Sequence, residues 1–395
     1  MRIALVTTTF LPQVGGVEWK VHFLASEYRE RGHDVRVFHQ RRRRGADGAL
    51  PVCPSYAITS VWPPPFPGYG RMRVGEWFFP RAILAEHRKA PFDGIHCHSI
   101  ELPTRYGVIV RHLAGVPVIA TTCGHDALLR PELGWDLRTR PFYDNMVRNN
   151  VRRVDVVGSV SHAITMELRA MGATARIAEI PNGVDWPSFQ SRSEGWLRSR
   201  LGLRATDLLI LSLGRYHPIK DYVTGLRAVK LLLESPGVPQ GVHYAIIGTG
   251  VEGLAPVVAE MGLQGRVHLV PNLPMADVPK ALWDADVFLS TSRVEGFAQV
   301  VAQAMACARP VVLTDCPGNE DLAGCPGVLL GRVGDPGSLA SAMARLAHDP
   351  AGRAAMGRAA HEESRRFAWG RIAEHYLALF EGLARPAGSL LLDRP

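Results

Sequence analysis

The stretch 290–312, STSRVEGFAQVVAQAMACARPVV, combines residue types and spacings that suit the binding of an anion. An apolar, β-rich segment ends at Leu289, and Glu295 and Gly296 follow after a few small polar residues. Apolar residues then recur at intervals of three or four, the period of a helix. The first N–H groups of such a helix have no partner within it, and the helix dipole adds positive charge there. A diphosphate suits that place, with Glu295 facing an uncharged polar part of the same ligand.

Two further loops contain candidates for phosphate binding. After the apolar segment 208–214, Arg215 offers a planar fork of donors and Lys220 a mobile point charge, a pair that suits two adjacent phosphates. After the first apolar segment, Gly15 and Gly16 precede a helix, and paired glycines let a phosphate approach the backbone closely. Each pattern has a simpler interpretation, namely surface cations in the first case and a plain tight turn in the second.

Histidines that follow strands are the remaining candidates for chemistry. The segment 117–124 is predicted to be a buried strand that delivers His125 and Asp126 to a loop at its carboxyl end, where ligands sit in open α/β sheets. A lone histidine more often has a structural role. His96 and His98 are predicted to point to opposite faces of a strand, and we therefore expect no metal site from this pair.

Three glycines, Gly248, Gly250 and Gly253, form the pattern G-x-G-x-x-G after a strand. A dinucleotide site also needs an acidic residue about 20 positions further on, and there is none at the end of the segment 267–270. The pattern also lies in mid-chain instead of at a first strand–helix turn. We therefore expect a tight turn near a nucleotide. The alternative, an oxidoreductase, would be excluded by the absence of binding in a titration with nicotinamide cofactors.

Length and composition restrict the class of protein. A chain of 395 residues suits two domains, and 47% hydrophobic and 21% charged residues are typical of a folded soluble protein. No apolar run reaches the roughly 18 residues that span a bilayer, and the N-terminal segment is predicted to be a strand, not a signal peptide. The six cysteines include no C-x-x-C pair, which favours a reducing cytoplasm.

The positive charge is unevenly distributed along the chain. Residues 1–180 hold 24 lysines and arginines against 16 aspartates and glutamates, and so carry the whole net charge of +8, whereas residues 181–395 hold 21 of each. One interpretation is a solvated, arginine-rich surface. The other is a basic half that faces an anionic membrane or a phosphorylated substrate. The Pro-, aromatic- and Arg-rich segment 61–81 is predicted to be a long surface loop or, alternatively, a wall of the acceptor site or a flap that touches a membrane.

Strands and helices alternate along both halves of the chain. This order predicts an α/β fold of two Rossmann-like domains with parallel sheets that face each other across a cleft. The sharp turn predicted from PNGVD, which ends at Asp185, suits a domain boundary. The predicted organisation is an N-terminal domain over 1–185, a linker over 186–206, a C-terminal domain over 207–370, a final helix over 371–385 and a flexible tail over 386–395.

The pattern S-x-x-E-G-F-x-x-V-x-x-x-A-M-A, which begins at Ser292, resembles the donor-site motif of retaining glycosyltransferases of the GT-B fold, in particular family 4. That family usually has a second glutamate eight residues after the first, and this chain has Gln303 there. The resemblance implies a nucleotide-sugar donor bound mainly by the C-terminal domain and an acceptor bound mainly by the N-terminal one. It also implies a final helix that crosses back to the N-terminal domain.

The resemblance implies a role for each candidate residue. Glu295 and His125 would orient the donor sugar as the catalytic pair, and Gln303 would contact the ribose. The donor, chiefly its diphosphate, would be held by Gly15, Gly16, Arg215, Lys220, Gly296, Phe297, Ala298 and Gln299. Because the basic residues would neutralise the leaving diphosphate, neither a metal nor any other cofactor is expected.

The implied activity is that of a retaining, metal-independent hexosyltransferase. It would transfer a sugar from a UDP- or GDP-linked donor to a hydroxyl acceptor, such as a lipid-linked or phosphorylated glycan precursor in envelope or exopolysaccharide assembly. The expected location is the cytoplasm, with peripheral contact to an anionic membrane and no nucleic-acid partner. A soluble acceptor, as in antibiotic or thiol biosynthesis, and a catalytically weak nucleotide-binding protein remain as alternatives.

Overall fold

A computed structural model of the chain describes residues 1–13, 15–40, 50–61, 69–134, 137–193 and 195–384, with no side chains for 69–75. Contacts divide the described residues into two compact units. The first unit takes its residues from 1–131, 135–182 and 369 onward, and the second takes them from 132–134 and 183–368. The tail predicted over 386–395 lies outside the described residues.

The first unit is built on a parallel sheet of seven described strands. The strands are β1 (Arg2–Thr7), β2 (Asp34–Gln40), β3 (Ala57–Val61), β4 (Gly94–His98), β5 (Val118–Thr121), β6 (Val156–Ser159) and β7 (Arg176–Glu179). The helices between them are α1 (Gly16–Glu30), α2 (Tyr69–Lys89), α3 (Leu102–Ala114), α4 (Pro141–Val151) and α5 (His162–Ala170). The strand order is β3-β2-β1-β4-β5-β6-β7, so its direction reverses between β1 and β4.

The second unit is built on a parallel sheet of six described strands. The strands are β8 (Leu208–Leu213), β9 (Val242–Ile247), β10 (Val267–Val270), β11 (Val287–Ser290), β12 (Val311–Thr314) and β13 (Val328–Gly331). The helices are α6 (Trp196–Leu201), α7 (Tyr222–Glu234), α8 (Ala255–Glu260), α9 (Val278–Asp284), α10 (Gln299–Ala306), α11 (Glu320–Ala323), α12 (Pro336–His348) and α13 (Pro350–Ser364). The two sheets confirm the predicted α/β class with two Rossmann-like domains.

Continuous apolar strands explain why both sheets lie inside their units. Strands β5, β6, β11 and β12 are buried at every position, as expected when helices cover both faces of a parallel sheet. In the second unit, α7 and α12 pack side by side against the sheet through Leu226, Val229, Leu339 and Met343, which are almost fully buried. These rigid sheets fix where each strand ends, and so where each loop begins.

Residues 186–206, which the sequence analysis treats as a linker, are part of the second unit in the structure. The carboxylate of Asp284, at the end of α9, accepts hydrogen bonds from the backbone N–H groups of Gly195, Leu197 and Arg198 at 2.5 to 3.1 Å. It therefore satisfies N–H groups at the start of α6 that have no partner within the helix. Leu197 is buried beneath this contact.

The last described helix, α14 (Trp369–Ala384), belongs to the first unit. The hydroxyl of Thr121 on β5 donates a hydrogen bond of 3.1 Å to the hydroxyl of the fully buried Tyr376. A Cβ atom added to Gly94 on β4 would lie 2.4 Å from the ring of Phe380, so this glycine permits the close packing of α14 on the sheet. The final helix thus supplies part of the core of the first unit.

The predicted orientation of His96 and His98 is wrong. Residues two positions apart on a strand share a face, and the two ring centroids lie 4.3 Å apart. His96 bonds to the hydroxyls of Tyr28 at 3.1 Å and Thr121 at 2.7 Å, whereas both ring nitrogens of His98 are buried without a partner among the described residues. Within the described part of the chain, no group of three or more His, Cys, Asp or Glu residues could hold a metal ion.

Part of the segment 61–81 is helical, although its composition predicts an irregular loop. Residues 62–68 lie outside the described residues, and α2 begins at Tyr69 and continues through Pro80. Phe79 and Ile83 are fully buried and one helical turn apart, and the ring of Phe79 stacks on that of Tyr106 at 4.6 Å. This packing overrides the weak helix propensity of the segment. Across the described residues, no helix is both long enough and apolar enough to cross a bilayer.

Acid should destabilise the first unit through its buried imidazoles. Burial lowers the pKa of His96 to about 3 and lowers that of His98 well below its usual value. As the pH falls below about 6.5, the unfolded chain binds protons that the folded chain does not, so the free energy of unfolding falls. Each such imidazole lowers this free energy by about 1.4 kcal/mol per pH unit. We expect His98→Leu to reduce that slope in urea denaturation between pH 7.5 and 5. The exposed-residue variant His375→Gln is the control, and an unchanged slope in His98→Leu would contradict the prediction.

Candidate functional site

The strand order of the second unit is β10-β9-β8-β11-β12-β13, so its direction reverses between β8 and β11. In open α/β sheets, the crevice outside the carboxyl ends of the strands at such a reversal is where ligands bind. The loop after β8 contains Arg215 and Lys220, and the loop after β11 contains Glu295. The topology therefore brings the predicted residues of both loops to one edge of the sheet.

Lys220 and Glu295 are in direct contact at this edge. The Lys220 ammonium donates a hydrogen bond of 2.6 Å to Oε1 of Glu295. The hydroxyl of Ser292 donates to the same oxygen, also at 2.6 Å. The side chains of Lys220 and Glu295 are only 17% and 10% exposed, so water screens this ion pair less than it would a surface pair.

Backbone hydrogen bonds hold the two loops together. The N–H of Arg293 donates to the carbonyl of Ile219 at 2.7 Å, and the hydroxyl of Thr291 donates to the carbonyl of Lys220 at 2.7 Å. On the other side, the hydroxyl of Thr314 at the end of β12 donates to the carbonyl of Ser292 at 2.5 Å. The turn that carries the glutamate is thus fixed between two neighbouring strand ends.

A third loop, after β12, packs against the same turn. The N–H of Glu295 donates to the carbonyl of Pro317 at 2.9 Å. Gly318 has a φ of +92°, and a Cβ atom added there would lie 1.7 Å from the carbonyl oxygen of Glu295. A position with that backbone conformation and that little space favours glycine. The position of Glu295 therefore depends on the absence of a side chain at residue 318.

The loop after β8 presents its two basic residues differently. Arg215 is exposed and makes no ion pair within the described part of the chain. Lys220 ends a short 3₁₀ turn, Pro218–Lys220, in which a ring nitrogen of His217 accepts the N–H of Ile219 at 3.3 Å. Burial, Arg215 and Lys220 together lower the pKa of His217, which favours the neutral ring that this hydrogen bond requires.

The helix α10 begins at Gln299. The N–H of Gln299 donates to the carbonyl of Phe297 at 2.8 Å, so this group, predicted to bind the diphosphate, has a partner already. The side-chain amide of Gln299 donates to the carbonyl of Gly183 at 2.9 Å. The N–H groups of Phe297 and Ala298 donate to no described residue.

Gln303 lies one helical turn further along α10 and is 8% exposed. Its side chain makes no hydrogen bond with the described residues, although its backbone carbonyl accepts the N–H of Cys307.

The G-x-G-x-x-G turn packs against the loop after β8, because a Cβ atom on Gly248 would lie 2.0 Å from the carbonyl oxygen of Gly214. The glycine pattern thus has a packing role, as its position in the sequence suggests.

The remaining predicted site residues lie in the first unit. Gly15 has extended backbone next to the carboxylate of Glu18, and Gly16 is exposed at the start of α1. His125 is half-buried in the loop after β5. Asp126 is fully buried, and its carboxylate accepts the N–H groups of Ile100, Cys123 and Gly124 at 2.9 to 3.0 Å. Asp126 therefore shapes the loop that carries His125.

Sequence reasoning did not find Ser292, His217 or Gly318 as contributors to the site. Ser292 had a usable signal, since it lies three residues before Glu295 in a turn that follows a strand. His217 directly precedes Pro218, so it stands where a polar side chain can cap a short helical turn. The contact of Gly318 joins residues 23 positions apart in the sequence, and no local pattern indicates it.

Two family descriptions match the chain, one in each half. Residues 14–186 match the glycosyltransferase family 4 model and residues 207–349 match the model for glycosyl transferases group 1. The D-inositol 3-phosphate glycosyltransferase of Mycolicibacterium vanbaalenii is 28% identical over 85% of this chain and 79% of its own. The enzyme of the same name from Thermobispora bispora is 26% identical over 85% of this chain and 82% of its own.

Solved structures share the whole fold. A sucrose-phosphate synthase from Thermosynechococcus elongatus superposes with a TM-score of 0.81 at 20% identity, over 97% of this chain and 98% of its own. The Anabaena protein HepE, in complex with UDP-glucose, superposes with a TM-score of 0.75 at 21% identity, over 97% of this chain and 100% of its own. The predicted GT-B architecture is confirmed by these similarities.

Proposed function

We propose that this chain, which carries a glycosyltransferase family 4 domain and a glycosyl transferases group 1 domain, transfers a sugar from a nucleoside diphosphate donor to a hydroxyl acceptor with retention of the anomeric configuration. One observation carries the proposal. At the strand-order reversal of the second unit, Lys220 and Glu295 meet at 2.6 Å, which places a cation for a diphosphate beside a carboxylate for a sugar.

The donor-binding half of the proposal follows from charge and geometry. Arg215 is exposed and the ammonium of Lys220 ends a flexible four-carbon chain, so the two can neutralise the charge that develops on a leaving diphosphate. The N–H groups of Phe297 and Ala298, which have no partner among the described residues, precede α10, where the helix dipole favours an anion. Because cations of the protein serve this purpose, we propose that transfer needs no divalent metal.

The proposed reaction follows the front-face course implied by family membership. The bond between the anomeric carbon and the donor phosphate oxygen breaks while the acceptor oxygen bonds to the same face of that carbon. The acceptor proton passes to the departing diphosphate oxygen. Glu295 holds sugar hydroxyls, and we place His125 as a second contact to the sugar. Orientation of the reacting groups and stabilisation of developing charge are the main contributions of the protein.

For the acceptor, we propose a hydroxyl compound that carries phosphate. The whole net charge of +8 lies in residues 1–180, which suits an anionic partner. The named relatives act on an inositol 3-phosphate, and UDP-glucose is bound by a protein of the same fold, so a UDP-sugar is the first donor to test.

A lipid-linked acceptor is the second candidate, and a surface feature of α2 favours it. Trp77 is 51% exposed, and the guanidinium of Arg81 lies over its ring at 3.7 Å from the centroid. An exposed tryptophan beside an arginine suits the interface of an anionic membrane. Under this candidate, the enzyme would contact such a membrane peripherally.

The proposed function is tested by incubating the purified chain with UDP- and GDP-sugars, with and without EDTA. We expect slow hydrolysis of one donor, faster turnover when inositol 3-phosphate or a lipid-linked sugar phosphate is added, and no effect of EDTA. NMR of the product should show the anomeric configuration of the donor. If the chain binds no nucleoside diphosphate, the proposal is wrong, and an inverted product would overturn its stereochemical part.

Gln303→Glu should tighten the binding of the nucleotide by about 3- to 10-fold, because a carboxylate is a stronger hydrogen-bond acceptor than an amide for the ribose hydroxyls. Isothermal titration with UDP and GDP measures this change. The surface variant Gln264→Glu adds the same charge elsewhere in the second unit and controls for it. Equal affinity in Gln303→Glu and the wild type would show that residue 303 is not the ribose contact.

A further inference from the structure

Ser292 has a position that the proposed function does not explain. Its side chain is almost entirely buried, with 1% of the residue exposed, and its hydroxyl donates to Oε1 of Glu295 at 2.6 Å. Its own carbonyl is held by the hydroxyl of Thr314 at 2.5 Å. The Ser292 hydroxyl is therefore held in place by the backbone of its own turn, independently of any ligand.

Lys220 donates to the same oxygen at the same distance, but its attachment is different. Its ammonium lies at the end of a flexible four-carbon chain, and in the proposed function it must bind the donor diphosphate. A diphosphate carries more negative charge than one carboxylate, so it attracts the ammonium more strongly. Binding of the donor thus weakens one of the two hydrogen bonds that orient Glu295.

We propose that Ser292 is a positioning residue, which keeps the Glu295 carboxylate aimed at the donor sugar when Lys220 moves to the diphosphate. This inference rests on the proposed function and adds an order of events to it. In the free protein, Lys220 neutralises Glu295 and so reduces its repulsion of the incoming diphosphate. After the diphosphate has bound, Ser292 alone holds Oε1, and Oε2 is available for a sugar hydroxyl.

Under this proposal, the affinity for the donor has two parts, one for the nucleoside diphosphate and one for the sugar. The nucleoside diphosphate part depends on Lys220 and not on Ser292, whereas the sugar part depends on Glu295 and hence on Ser292. A hydroxyl with a merely structural role would weaken both parts together, because loss of local structure would displace Lys220 as well. The ratio of the affinities for a nucleotide-sugar and its nucleoside diphosphate therefore distinguishes the two roles.

The test compares Ser292→Ala with the wild type, using UDP and UDP-glucose, or GDP and GDP-mannose if the donor screen selects guanosine. We expect the Kd of the nucleoside diphosphate to stay within about twofold, the Kd of the nucleotide-sugar to rise, and kcat/KM for the donor to fall by roughly 10- to 100-fold, since the lost bond is to a charged acceptor. Ser364→Ala is the matched control, because that hydroxyl is also fully buried in the second unit and bonds to Trp186 and His361.

Each outcome has a defined meaning. A selective loss in Ser292→Ala, with partial recovery in Ser292→Thr, supports the inference. Equal losses for the nucleotide and the nucleotide-sugar, or behaviour like that of Ser364→Ala, overturn it and leave the proposed function intact. If the wild-type chain binds none of the four ligands, the proposed function and this inference fail together.

Discussion

Replacing Glu295 with glutamine is expected to lower kcat for sugar transfer by about 100- to 1000-fold, the usual cost of losing one preorganised electrostatic contact to a transition state. The substitution keeps the shape of the side chain, and it removes the charge that would stabilise the positive character of the sugar. It also removes the partner of Lys220, whose ammonium lies 2.6 Å from the carboxylate. The steady-state rate with the donor and acceptor selected by the screen measures this loss.

The same variant should bind the nucleoside diphosphate as tightly as the wild type or more tightly, because the freed ammonium no longer has to leave a carboxylate. Titration calorimetry of UDP or GDP checks this second part. Glu260→Gln, at an exposed position in α8, removes one negative charge from the same unit and serves as the control. Weaker nucleotide binding in Glu295→Gln, or near-normal turnover, would contradict the role assigned to this residue.

Gly318→Ala is expected to abolish detectable binding of the donor and to lower the melting temperature. The new Cβ atom would lie 1.7 Å from the carbonyl oxygen of Glu295, and the φ of +92° strains any residue with a side chain. Because the contact is with backbone, one of the two loops must move. A displaced Glu295 turn would move the N–H groups of Phe297 and Ala298 as well as the Glu295 carboxylate, so the diphosphate and the sugar would both lose proposed contacts.

Differential scanning fluorimetry and nucleotide titration measure the two effects of Gly318→Ala. Gly324→Ala is the matched control, since Gly324 has a φ of −87° and no atom within 4 Å of an added Cβ. Alanine there should be neutral or stabilising by about 0.4–1 kcal/mol. Wild-type donor binding in Gly318→Ala would mean that the turn tolerates a shift of its backbone, and that its position does not depend on this glycine.

Local patterns in the sequence were sufficient to predict the loops of the site. A strand, a few small polar residues and a helix bring Glu295 to a strand end, and the same logic brings Lys220 to the neighbouring strand end. Each of these depends on hydrophobic period and turn chemistry over about ten residues. The contact of Lys220 with Glu295 then follows from the strand order, which places β8 beside β11. The rules for connecting successive α/β units leave few possible strand orders.

Features that depend on distant packing could not be predicted in this way. Helix α2 forms because Phe79 and Ile83 bury a face that its proline and glycines do not indicate. The error for His96 and His98 had a different origin, since the strand period itself places both on one face. The contact of Gly318 with Glu295 and the burial of the His98 imidazole depend on residues that are distant in the sequence.

The position of α14 has a consequence for synthesis on the ribosome. The buried hydroxyl of Tyr376 reaches Thr121 across an interval of 255 residues. The core of the first unit therefore stays incomplete while the second unit emerges from the exit tunnel. During that time, the side chains of the first unit that contact α14 are not yet covered by it. The amino-terminal unit is thus the last to be finished, although it is the first to be translated.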